Sequence, residues 1–251
     1  MTEIEEIFED YLNMLSLKPT DLPGVVLRDH LPGVGYFDEH MNVVNPTMNL
    51  FRLLLKRRGF MDLPQILSDE EYGKIQKQEY YHGFKEKKHA KAFVFGDTYH
   101  LGSGTQIGTY FTERKVEAIH YTEGKKGESN IVLPMKMNGA KGTYFLSILN
   151  LLHSIGMDRR LLNNPQTEDE KKMKELIDFC FNTKGNEREK HDMYLYMTNS
   201  AQMVAVYLGY DYFYMSKDDF YTHLCVFNRG KIVTCPEKLK EGLGIVQNER
   251  E

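Results

Sequence analysis

Tyr80-Tyr81-His82-Gly83-Phe84 and, after a glycine-spaced segment, Gly108-Thr109-Tyr110-Phe111-Thr112 are the stretches whose reading decides the fold. Both are rich in aromatic and β-branched residues, and each has the length of one strand. The segment between them carries Tyr99, Gly102, Gly104 and Gly108. Glycines spaced this closely let backbone approach a partner where a Cβ would intrude. From Glu79 onward such runs replace the leucine-rich patterns that precede them, so the functional core is placed here.

Working outward towards the C-terminus, Thr112 stands where it can cap a short helix through Val116 to His120. Ile131 to Met137 is apolar enough for a strand, and Pro134 is expected to push it towards a sheet edge. Tyr144 to Leu152 is an apolar run whose type periodicity does not decide. Thr167-Glu168-Asp169-Glu170 is a capping box opening a helix with Met173, Leu176, Ile177 and Cys180 on its inner face. Thr183 to Lys190 reads as a polar loop. A helix from Ser200 to Leu208, closed by Gly209, precedes strands at Tyr212 to Met215 and Phe220 to Phe227. Asn228-Arg229-Gly230 turns the chain into a last strand, Lys231 to Cys235, and the charged tail is expected to fray.

Towards the N-terminus, Ile4, Ile7, Phe8, Tyr11 and Leu12 recur at helical spacing. Leu50, Leu53 and Leu54 form a second helical pattern that ends in Lys56-Arg57-Arg58 and Gly59. Ser68-Asp69-Glu70-Glu71 supplies another capping box. These readings divide the chain into an N-terminal helical region over 1–77, a core over 78–236 and a charged tail over 237–251.

At 251 residues, with 41% hydrophobic and 27% charged residues, the chain can bury a sizeable core. A net charge of −4 excludes a globally basic nucleic-acid binder. The local cluster Lys85, Lys87, Lys88, His89 and Lys91 reads first as a solvated loop and second as a phosphate-binding rim. Cys180, Cys225 and Cys235 form no CxxC pair, so neither zinc nor a disulfide framework is expected. An acidic N-terminus and the lack of a long apolar run fit a cytoplasmic chain with no membrane partner.

Taken in order, Tyr81-His82-Gly83, then Gly108-Thr109-Tyr110, then Ala118 with Tyr121 resemble the first two motifs of diphtheria-toxin-like ADP-ribosyltransferases. The resemblance covers roughly residues 78 to 235. Leu208-Gly209-Tyr210-Asp211 and Val226-Phe227-Asn228-Arg229 are most similar to the domains of this superfamily attached to bacteriophage head-morphogenesis proteins. The resemblance implies an α+β fold with a split β-sheet core, here under an N-terminal helical layer. It also implies NAD⁺ as substrate and a protein or nucleic-acid acceptor for ADP-ribose.

Cleaving the nicotinamide–ribose bond passes through an oxocarbenium-like state, so the pocket must hold the leaving ring and stabilise positive charge. By the resemblance, His82 contacts the adenosine-side ribose and the Gly83 backbone pairs with the nicotinamide amide. Tyr110, following Thr109 in the second motif, stacks on the nicotinamide, and Tyr121 closes its other side. Taken alone, His82 is a hydrogen-bonded strand residue and the two tyrosines are core aromatics; their order together favours the pocket. The family's third motif is a glutamate at the start of a late strand, and Phe220 to Phe227 contains none. His223 falls on that position, with Asp218 and Asp219 just before the strand. His82, Tyr110 and His223 are therefore the candidate catalytic residues, beside an equally open reading of His223 as a packing or solvent-facing residue. An inactive NAD⁺-binding or structural module of the same fold, and an RNA-binding member using the lysine cluster, are the alternative functions.

Overall fold

The computed structural model describes residues 1–16, 36–37, 43–44, 46–61, 63–95, 108–120, 122, 131–157, 164–217 and 221–243. In chain order the elements begin α1 (Glu3–Ser16), β1 (Tyr36–Phe37), β2 (Val43–Val44), α2 (Pro46–Arg57), β3 (Gln65–Ile66), α3 (Asp69–Lys74) and β4 (Tyr80–Phe84). They continue with α4 (Lys87–Phe95), β5 (Thr109–Thr112), α5 (Lys115–His120), β6 (Ile131–Met137), β7 (Gly142–Tyr144) and α6 (Phe145–Met157). The rest are α7 (Glu168–Asn182), α8 (Glu187–Thr198), α9 (Ala201–Tyr207), β8 (Tyr212–Lys217), β9 (Tyr221–Val226), β10 (Ile232–Thr234) and α10 (Pro236–Leu243). This is a mixed α and β chain, as the alternation of periodicities implies. Two compact units divide it, one chiefly Met1–Gly59 with Leu146–Gly209, the other Phe60–Gly102, Ile107–Phe145 and Tyr210–Glu251.

In the helical unit, α1 buries Ile4, Ile7, Phe8 and Tyr11, the stripe its spacing predicts. Phe8 meets Phe179 of α7 edge-on, with ring centroids 5.3 Å apart. Arg57 forks to Glu6 at 2.9 Å and Asp10 at 2.7 Å, and Arg58 pairs with Glu3 at 2.9 Å. Arg58 also donates to the Tyr207 carbonyl. The N-terminal helices are thus one half of a unit whose other half is Leu146–Gly209, and the boundary at 77 does not separate them. The physical reason is that a stripe on α1 must find an apolar partner, and α7 and α8 supply it. Glu187–Thr198, its first residues read as loop, forms α8. Its buried Lys190 donates to Thr183 Oγ1 at 2.8 Å and to the Lys184 carbonyl at 3.2 Å, closing the end of α7. Both capping boxes form as read, and Gly59 and Gly209 take the positive φ that stops their helices.

The other unit is built on an eight-stranded sheet in the order β3-β10-β6-β4-β5-β9-β8-β7. Its pairs are antiparallel except β3 with β10 and β7 with β8. Residues 60–77, read with the N-terminal helices, belong here through β3. Pro134 stands in an interior strand, contrary to the edge expected of it. Its stretch of β6 pairs only with β4, because β10 joins at Lys136 and Met137, so the missing N–H leaves no ladder bond broken on the β10 side. The tail does not fray at once: Pro236–Leu243 is α10, with Leu239 and Leu243 buried against the sheet core of Phe84, Phe93, Phe111, Leu133 and Val226. The undecided run from Tyr144 is helical from Phe145, as α6.

Candidate functional site

The site begins where β4 meets β5. β4 pairs with β6 along its whole length, from Tyr80↔Met135 to Phe84↔Ile131. With β5 it shares one pair, Tyr81↔Thr112, and there the ladder stops. Beyond that pair the two strands are joined by a side chain: His82 Nδ1 lies 2.5 Å from the Tyr110 carbonyl oxygen, so that nitrogen carries the proton and donates. Both strands belong to one eight-stranded sheet, with Gly83 on β4 and Tyr110 on β5.

Strand alternation sorts the side chains. Tyr81, Gly83, Tyr110, Thr112, His223 and Cys225 share one face, since Tyr81 is opposite Thr112, Thr112 opposite His223, and Tyr110 opposite Cys225. His82 and Thr109 point to the other. Thr109 is buried there, while the His82 imidazole sits among Phe84 at 4.4 Å, Phe93 at 5.5 Å and Phe111 at 5.2 Å between ring centroids. Gly83 and Tyr110 therefore stand on one face, His223 lies on that face two strands from Gly83 and one row along, and the imidazole of His82 lies behind them. Tyr121, Gly102, Gly104, Asp218 and Asp219 lie outside the described residues.

Burial pushes the His82 imidazole down to about 4, and the nearby Arg229 cation acts in the same direction, so the ring is neutral at physiological pH. Arg229 is fully buried, its guanidinium 4.1 Å from the Phe93 ring centroid, and it donates to the Phe93 carbonyl at 2.8 Å. Cys225 lies beneath Gly108, whose φ is 114°; burial pushes its thiol up to about 12. A Cβ on Gly108 would stand 2.6 Å from that sulfur.

On the face of Gly83 lies α5. A Cβ on Gly83 would come 2.1 Å from the Ala118 carbonyl oxygen, so glycine is what lets this helix cross β4. The helix brings with it Glu117, which accepts a hydrogen bond from the Thr112 hydroxyl. Thr112 Oγ1 in turn accepts from the Arg114 amide at 3.2 Å, the start-of-helix role its position suggests. The other carboxylate oxygen, Glu117 Oε1, is buried and has no hydrogen-bond partner among the described residues. Sequence reasoning missed Glu117, because a glutamate in the first turn of a helix carries no signal beyond a favourable helix dipole.

The two segments behind the finer resemblance clasp one another. Asp211 accepts from Asn228 Nδ2 and from the Lys141 amide, both at 2.7 Å, and its carbonyl accepts from the Phe227 amide at 2.8 Å. Asn228 Oδ1 accepts from the Met61 amide at 3.1 Å. Both residues are buried, so the clasp holds the ends of β8 and β9 in register. No cluster of three metal-ligating side chains occurs among the described residues. No described helix is long and apolar enough to cross a membrane.

No family model, curated protein or solved structure matches this chain.

Proposed function

We propose that this chain is an NAD⁺-dependent mono-ADP-ribosyltransferase that transfers ADP-ribose to a protein or nucleic-acid acceptor. The observation that supports the reading is the short pairing of β4 with β5, a single registered pair, flanked on one face by Gly83 and Tyr110, with the strand of His223 next in the sheet. In this reading the short pairing lets β4 main chain, with an aromatic ring beside it, serve a planar amide-bearing ring such as nicotinamide. The first two motifs thus lie on adjacent strands, with Ala118 on α5 and His223 on the strand after them, although nothing in their spacing along the chain requires it.

Within that reading the residues take distinct roles. Gly83 and Tyr110 bound the nicotinamide position, with Thr109 buried behind them as part of the strand's anchor. His82 acts as a positioning residue: its neutral imidazole ties β4 to β5 through the Tyr110 carbonyl. His223 lies on the same face, one strand further on, where it can meet the acceptor side. A second reading, an NAD⁺-binding module without turnover, is favoured by one fact: β9 carries no carboxylate.

Incubating the full chain with labelled NAD⁺ and a cell lysate tests the first reading, with Tyr110→Ala and His223→Ala in parallel. Wild type labels a macromolecule, and Tyr110→Ala loses most of the label while remaining folded by circular dichroism. Equal labelling by all three chains refutes the pocket. Saturable NAD⁺ binding with no labelling and no nicotinamide release selects the second reading.

A further inference from the structure

Resting on the transferase reading, we infer that Glu117 supplies the catalytic carboxylate that β9 lacks, reaching the site from α5 instead of from the late strand. Tyr81, Thr112 and His223 form one cross-strand row, and Gly83 with Tyr110 stand in the next row on the same face, about 7 Å away along the strands. Glu117 is fastened over the first row through the Thr112 hydroxyl. α5 is held against the second row by the contact of the Ala118 carbonyl with Gly83. The carboxylate is thus oriented by one oxygen, while Oε1 is buried with no hydrogen-bond partner among the described residues. A buried acceptor oxygen left without a donor is costly for stability alone.

The step it serves balances as follows. The bond between ribose C1′ and the nicotinamide nitrogen breaks, and its electron pair leaves on that nitrogen, discharging the pyridinium. A lone pair on the acceptor's oxygen or nitrogen forms the new bond to C1′, and the acceptor's proton passes to Glu117 Oε1. A negative oxygen here also stabilises the positive ribose in the transition state. The acceptor class implied is a neutral hydroxyl, water included, or a neutral N–H nitrogen with a lone pair, which loses its proton as the new bond forms.

The test uses the purified full chain, nicotinamide release for turnover and calorimetry for NAD⁺ affinity. Glu117→Gln keeps an acceptor for the Thr112 hydroxyl, so it holds NAD⁺ affinity within about twofold while kcat falls on the order of 100-fold. Glu117→Ala loses kcat similarly and regains part of it with added formate, a rescue no purely structural role would give. Glu117→Gln with kcat within threefold of wild type overturns the inference and leaves the transferase reading standing. So does a joint loss of melting temperature and NAD⁺ affinity with no formate rescue. A wild type that neither binds nor cleaves NAD⁺ overturns both, and one that binds without cleaving overturns the inference in favour of the non-catalytic module.

Discussion

His82 carries its consequences in its surroundings. Three phenyl rings and a buried guanidinium surround an imidazole that has one hydrogen bond to give, so the charged form is penalised. The folded chain resists protonation until about pH 4, whereas the unfolded chain takes the proton near 6.5. Between those values the unfolded state binds more protons, so the stability conferred by the neutral ring is complete above about 6.5 and is lost as pH falls towards 4. At about 1.4 kcal/mol for each pH unit in that window, the loss reaches up to about 3 kcal/mol. Urea unfolding from pH 7.5 to 4 checks it: wild type shows this acid limb, and His82→Phe, which keeps the aromatic packing, flattens it. Most of this residue was legible beforehand only as a choice. A histidine before a glycine in a strand reads as a pocket group or as a bonded strand residue, and only the parity set by Tyr81↔Thr112 decides which face receives the ring.

Among elements, β8 and β9 pair over six registered positions, and the Asp211 clasp closes one end of that ladder. Replacing Asp211 by Ala leaves the buried Asn228 amide without its acceptor, and the N–H of the exposed Lys141 loses its own. The buried group left unsatisfied costs about 1–3 kcal/mol, so Asp211→Ala is expected to lower stability by about that amount. Asp211→Asn, which retains one acceptor oxygen, loses less. Thermal melts of the two variants order them, and equal melting temperatures for Asp211→Ala and wild type would falsify the clasp. Elements bounded by local chemistry were readable from the chain alone. The Ser68 and Thr167 boxes close within three residues, and Gly59 and Gly209 stop helices through their own φ. Elements whose fate depends on a distant partner were not. Pro134 is tolerated inside the sheet because β10 is short, and the tail orders as α10 because Leu239 and Leu243 find the sheet.

On the scale of the whole molecule, residues 1–59 form part of a unit they share with 146–209. A chain begun at Phe60 would strip Ile4, Ile7, Phe8 and Tyr11 from the helices they cover, together with the pairs of Arg57 and Arg58. Far-UV circular dichroism of that truncation is expected to lose more helix than the 14 residues of α1 and the 12 of α2 account for, because α7 and α8 lose their apolar cover. A loss limited to those two helices would show that the later helices stand alone. Unaided, the residue order determined what near neighbours settle: where helices start and stop, which runs are extended, and that aromatic strands with glycines between them form the core. The tertiary structure alone decided which helices the N-terminal stripe meets, which face His82 takes and that Glu117 reaches Thr112. Closing a loop costs little more at a hundred residues than at fifty, so local sequence scarcely constrains which distant partner an element finds.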